Sequence, residues 1–119
     1  MKGRACILAA LVAVPSCAGA PWTPEQKWAE LAIAGTFLVD SRQTQQTACE
    51  PGRWECNPVL GLHPSPQFIN GYFIGALALH ALAVEVMPDS WRRPFQAGTL
   101  GLELGVIAHN FSIGLNVRF

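Results

Sequence analysis

INGYFIGALALHALAVEVM, residues 69–87, is the stretch on which the fold class turns. It is apolar almost throughout, shows no strand-like alternation, and stops at Pro88 and Asp89. At roughly 1.5 Å rise per residue it makes a helix of about 28 Å, close to the ~30 Å hydrocarbon core of a bilayer. Two further apolar segments flank it. QAGTLGLELGVIAHNFSIGLNV, residues 96–117, is entered after Pro94 and reads as a helix of about 33 Å. QKWAELAIAGTFLVD, residues 26–40, is shorter at about 22 Å and needs its polar flanks at the interface. Thr23, Pro24 and Glu25 ahead of it supply an N-cap, a first-turn proline and an early acid. Residues 41–67 between the first two segments are polar and carry Pro51, Pro58, Pro64 and Pro66, which reads as a loop. The expectation is an all-α fold: a small transmembrane bundle of three apolar helices, one domain over residues 21–119.

Composition agrees with that class. Half of the 119 residues are hydrophobic and 13% are charged, against roughly 25% charged in an average soluble domain. Eight Lys and Arg balance eight Asp and Glu, so no net field recruits nucleic acid. Membrane lipid is the expected partner. Trp22, Trp28, Trp54 and Trp91 all fall near segment ends, as interfacial tryptophans do.

Residues 1–20 read as an address to a membrane. Lys2 and Arg4 precede the apolar run of residues 5–14, Pro15 breaks it, and small residues follow. That is the layout of a secretory signal, with cleavage after Ala18 as one option. Two alternatives stay open: a lipoprotein signal lipidated at Cys17, and an uncleaved anchor. If Lys2 and Arg4 lie inside and every apolar run crosses, Arg42, Arg53 and Arg118 also fall inside, against Lys27, Arg92 and Arg93 outside. The compartment expected is a bacterial inner membrane, with an outer-membrane or lipid-anchored protein as the alternative. Cys49 and Cys56, separated by Glu50 to Glu55, suit a small disulfide loop in an oxidising compartment, or two free thiols. The inside orientation favours the thiols.

Glycine spacing suggests packing faces. Gly71 and Gly75 form one GxxxG and Gly101 and Gly105 another. Four-residue spacing lets two backbones approach closely, first of all within one molecule and otherwise in a homo-oligomer. Ionisable residues inside or bordering the segments are Glu30, Asp40, His80, Glu85, Glu103 and His109. In hydrocarbon each costs at least ~2.5 kcal/mol, so partners inside the bundle are expected. His80 pairing with Glu103, and Thr36 with Asp40, are the contacts anticipated; Glu103 and Asn110 share one helix face. Carboxylates with imidazoles can relay protons or bind metal, but no tight ligand motif such as HExxH is present. No motif names a cofactor or a nucleophile–base pair.

Two motifs between the first two segments carry a resemblance: Asp40 to Thr44 as D-x-x-x-T, and Glu55 to Ser65 as E-x-N-P-x-x-G-x-x-P-S. With Tyr72, His80, Glu103, His109 and Asn110 they resemble a group of small bacterial and phage membrane proteins, over about residues 28–119. The resemblance implies a compact helical bundle and no known activity. Asp40, Thr44, Glu55 and Asn57 are the cluster expected at one membrane face. The leading expectation for function is a structural or accessory membrane protein acting through helix packing. The alternative is a membrane enzyme or ion-handling protein using Asp40, His80, Glu103 and His109. A rival architecture comes from residues 111–119, whose strict apolar alternation ends on Phe119 like a terminal outer-membrane strand. Too little chain remains for the eight strands of the smallest barrel, so a short extended tail is expected instead.

Overall fold

The computed structural model describes residues 19–119. The basic start, the lipidation option at Cys17 and nearly all of the signal-like segment lie outside the described residues. Three helices follow in order: α1, Pro24–Cys49; α2, Pro66–Val86; and α3, Asp89–Ser112. The fold is all-helical, with no strand among the described residues.

α1 and α2 begin where their capping chemistry dictates, whereas α3 opens after Pro88 without a side-chain cap. The Thr23 hydroxyl accepts from the Gln26 amide at 3.3 Å while the Gln26 side chain accepts from the Thr23 amide at 3.1 Å. That reciprocal capping box satisfies two amides that a helix start leaves free. Ser65 caps α2 in the same sense, accepting from Phe68 at 3.2 Å. Several boundaries differ from the sequence reading: α2 opens at Pro66, inside the expected loop, and α3 ends at Ser112. Residues 41–49 were expected in the loop, yet α1 continues to Cys49. SRQTQQTAC contains neither proline nor glycine, so polarity alone suggested a loop and nothing there breaks a helix. Pro51 and Gly52 (φ +80°) end it in a turn closed by Arg53 N–H to Glu50 C=O at 3.3 Å. Similarly α3 starts at Asp89, not after Pro94. Pro94 sits early enough that it forfeits one hydrogen bond and leaves the helix intact.

α1 is the centre of the molecule. It packs against both other helices, whereas α2 and α3 touch each other only lightly. Glu30 meets Gln96 and Asp40 meets Asn110, so α3 runs parallel to α1. Gln45 meets Asn70 and Glu30 meets His80, so α2 runs antiparallel. One end of the bundle therefore carries the 50–65 connector and the tail; the other carries the tight α2–α3 hinge.

What is buried is unusual. On α1 the buried residues are Gln26, Glu30, Thr36, Asp40, Ser41, Gln43, Thr44 and Thr47, with Ile33 as the apolar exception. Leu31 and Leu38 of α1, Ile74, Leu79 and Leu82 of α2, and Leu102 and Leu104 of α3 face outward. Of the three segments expected to cross a membrane, α2 alone is long and apolar enough by its own composition. α1 and α3 fall short because charged and amide side chains occupy their inner faces. The glycines also need correcting. Gly71, Gly75, Gly101 and Gly105 are exposed, and a Cβ added at any of them would meet nothing within 4 Å. They do not mediate packing between the helices of one molecule, because α1 lies on the other face of both α2 and α3.

The tail, residues 113–119, forms no strand and folds back on the connector end. Gly114 (φ +88°) turns the chain, Leu115 is buried, and both Arg53 terminal nitrogens donate to Ile113 C=O at 3.2 Å. Gln46 accepts from the Asn116 amide at 2.9 Å.

At the opposite end Arg92, 1% exposed, locks the hinge. It donates to the carbonyls of Met87 (3.3 Å), Ala20 (2.7 Å) and Glu85 (3.1 Å). Two of these are carbonyls that the end of α2 leaves without helical partners. Arg92→Ala should lower stability by about 3 kcal/mol, the scale of losing charge-assisted bonds to buried carbonyls. Arg92→Lys should recover little, since an ammonium cannot span three acceptors in a plane. Thermal unfolding of the purified variants checks both.

Candidate functional site

The polar interior gathers into two nodes. The first lies at the connector end and encloses a cavity of about 260 Å³. Its acidic side chains are Asp40 from α1, Glu55 from the connector and Glu103 from α3. Asn57, Asn110 and Thr47 add neutral polar groups, and Phe37, Tyr72 and Phe73 add aromatic walls. Phe73 meets Phe37 and Tyr72 edge-on, with ring centroids 6.1 and 5.2 Å apart. The cavity reaches between α2 and α3, where Ala76 and Val106 line it. No Lys, Arg or His is among the residues lining it.

Local turn chemistry places the connector residues. Asn57 accepts from the Val59 amide at 3.0 Å, and its carbonyl takes the amides of Leu60 and Gly61. Asn57 and Pro58 thus set a turn, relaxed by Gly61 at φ +77°. The same residue donates its own amide to Glu55 at 2.8 Å and its side-chain amide to Tyr72 at 3.0 Å. Glu55 and Asn57 are thereby held against α2. Across the cavity the Asn110 amide is shared between Asp40 and Gln43, 3.1 Å from each. Glu103 Oε2 is fully buried and has no hydrogen-bond partner.

The second node lies towards the hinge. His80 Nδ1 donates to Glu30 at 2.8 Å, its Nε2 lies 3.0 Å from the Thr99 hydroxyl, and its ring stacks on Phe95 at 4.7 Å. Gln96 donates to the other Glu30 oxygen at 2.9 Å and to Gln26 C=O at 3.0 Å. Gln26 in turn donates to Asp89 at 2.9 Å. Nearby, Trp22 donates to Glu85 at 2.6 Å. His80 and both Glu30 oxygens are partnered, while Gln96 Oε1 and Glu85 Oε1 are buried without a partner; the node's chemistry is that of a tie between helices.

The sequence candidates divide between these places. Asp40, Glu55, Asn57, Glu103 and Asn110 meet around the cavity, with Tyr72. Thr44 is buried on α1 but does not line it. His80 pairs with Glu30, not with Glu103, because the two lie in different nodes. The Thr36 hydroxyl donates to Ile33 C=O at 2.8 Å rather than to Asp40. His109 is exposed. Cys49 and Cys56 are exposed free thiols, not a bonded pair. Among the described residues no three His, Cys, Asp or Glu side chains are grouped closely enough to hold a metal ion.

Glu30 was expected to find a partner inside the bundle, whereas Gln26, Gln43, Gln96 and Arg92 were not anticipated as buried partners. A signal existed. Residues 26, 30, 33, 37, 40, 44 and 47 alternate by four and three, which puts them on one helix face. That stripe is mostly polar, so a search for apolar periodicity passes over it.

No family model matches the chain, and neither a curated protein nor a solved structure matches it.

The two histidines offer a clean contrast. His80→Ala leaves Glu30 and Thr99 short of a partner and should cost about 2–3 kcal/mol. His109→Ala should change stability by less than about 0.5 kcal/mol, as exposed substitutions do. Thermal unfolding of the two variants side by side measures the difference.

Proposed function

We propose that this chain is a small integral membrane protein of accessory type, whose bundle presents an apolar exterior to lipid and keeps a polar binding cavity at one end. The observation that carries this reading is the reversal of normal burial: amides and carboxylates line the interior while large aliphatic side chains cover the outside. In water such an exterior is an aggregation hazard. In hydrocarbon it is the favourable arrangement, since each buried polar group must find its partner within the protein.

Helix lengths fit. α2 spans about 32 Å, and α1 and α3 about 39 and 36 Å, so the last two extend beyond the hydrocarbon core. Trp28 and Trp91 are exposed near the hinge end and Trp54 at the connector end, matching two interfacial belts. The polar end of α1, residues 41–49, then stands at headgroup level, wrapped by the connector and the tail. The outward glycines leave α2 and α3 open to close approach by another helix, which is where a second copy would pack in lipid. By the resemblance of its connector motifs to those of small bacterial and phage membrane proteins, the membrane is a bacterial inner membrane. Among the described residues, the grouping of side chains gives metal chemistry no support.

Expressed full-length protein should stay with the inner membrane through an alkaline carbonate wash and give a mainly helical circular dichroism spectrum in detergent. Release by the wash, or a strand-rich product in the outer membrane, would contradict the reading.

A further inference from the structure

We infer that the connector-end cavity is a binding site for a small organic ammonium group carrying a short apolar arm. The inference rests on the membrane-bundle reading for its surroundings, but its evidence is the cavity itself.

Charge comes first. Three carboxylates from three separate parts of the chain line one cavity, and no cationic side chain lines it with them. Two of the three already have one oxygen engaged: Asp40 by Asn110, and Glu55 by the Asn57 amide. Glu103 is different. Its Oε2 is shut off from solvent with no donor within reach, and an enclosed carboxylate oxygen without a donor is costly. An N⁺–H group from a ligand supplies the missing donor and a counter-charge together.

The shape then selects the kind of cation. A bound metal ion needs its oxygens converging at about 2.0–2.6 Å on one point, and the described side chains do not form such a group. Carboxylates spread around a cavity of about 260 Å³ suit a cation whose N–H donors point in several directions. That volume lies just below the ~300–1,000 Å³ of drug-sized pockets, so the ligand is small. Phe37, Tyr72 and Phe73 give its carbon arm an apolar wall, and aromatic rings near a cation are favourable in themselves. Ala76 of α2 and Val106 of α3 add apolar lining for the arm. A free amine and an aminolipid headgroup share this chemistry.

The test uses purified full-length protein in a neutral detergent, with thermal unfolding as the readout and butylammonium chloride as the probe. Butylammonium should raise the unfolding midpoint saturably, while butanol, sodium chloride and magnesium chloride at equal concentration should not. Glu103→Gln should weaken the apparent affinity on the order of tenfold, about 1.4 kcal/mol. Glu55→Gln should weaken it in the same direction while keeping the acceptor for the Asn57 amide. Doping the micelles with phosphatidylethanolamine, but not phosphatidylglycerol, should blunt the response if the headgroup is the source of the amine; an unchanged response assigns it to a free amine. A missing shift in wild-type protein, an equal shift with butanol or magnesium, or full retention in both variants would overturn the assignment. A protein that leaves the membrane on carbonate washing would instead defeat the membrane reading, whatever the amine result.

Discussion

Glu30 is one carboxylate with two helices attached to it. One oxygen takes His80 of α2 and the other takes Gln96 of α3, while its own helix lies at the centre. Because α2 and α3 touch each other only lightly, their positions depend on what each makes with α1. The apolar part of the core is small, and Ile33, Ile69, Val84 and Ile107 are its main members within the helices. In such a bundle, helix registry is set by hydrogen bonds whose partners cannot be replaced by solvent. A slip of one turn would leave Glu30, His80 and Gln96 all without acceptors or donors, at about 1–3 kcal/mol for each unsatisfied group.

The same constraint organises the other end. There α1 supplies Asp40 and Gln43, α3 answers with Asn110, and the connector closes over them through Glu55 and Asn57, which is tied to Tyr72 of α2. The two ends differ in what surrounds their unpartnered atoms. Gln96 Oε1 and Glu85 Oε1 at the hinge node and Glu103 Oε2 at the connector node all lack a partner. Glu103 stands beside a cavity of about 260 Å³.

Legibility in the sequence followed the physics. α2 could be read directly, since apolar length and a terminal proline are sufficient signals. The start of α1 was equally plain from Thr23–Pro24, whereas Ser65–Pro66, which opens α2, fell inside the stretch read as loop. Residues 41–49 were misread because a polar helix covered by a loop and a tail looks like a loop when only hydropathy is weighed. The burial of Arg92 has no local signal either: its carbonyl partners at Glu85 and Met87 are near in sequence, but Ala20 comes from the far end of the chain. Asp40, Glu55, Asn57, Glu103 and Asn110 were identifiable as polar residues out of place. Their convergence depends on the parallel run of α1 and α3, which no local pattern encodes. Thr44 and His109 were equally plausible by type, yet their positions on their helices turn them elsewhere.

Lipid contact of the aliphatic exterior is the claim on which everything else depends. Spin labels at Leu79, Leu102 and, as an interior control, Gln43, introduced one at a time into a cysteine-free background in bilayers, test it directly. Labels at Leu79 and Leu102 should collide far more with oxygen dissolved in the bilayer than with a water-soluble paramagnet, while the Gln43 label should be protected from both. Labels at Leu79 and Leu102 that favour the water-soluble reagent would contradict it.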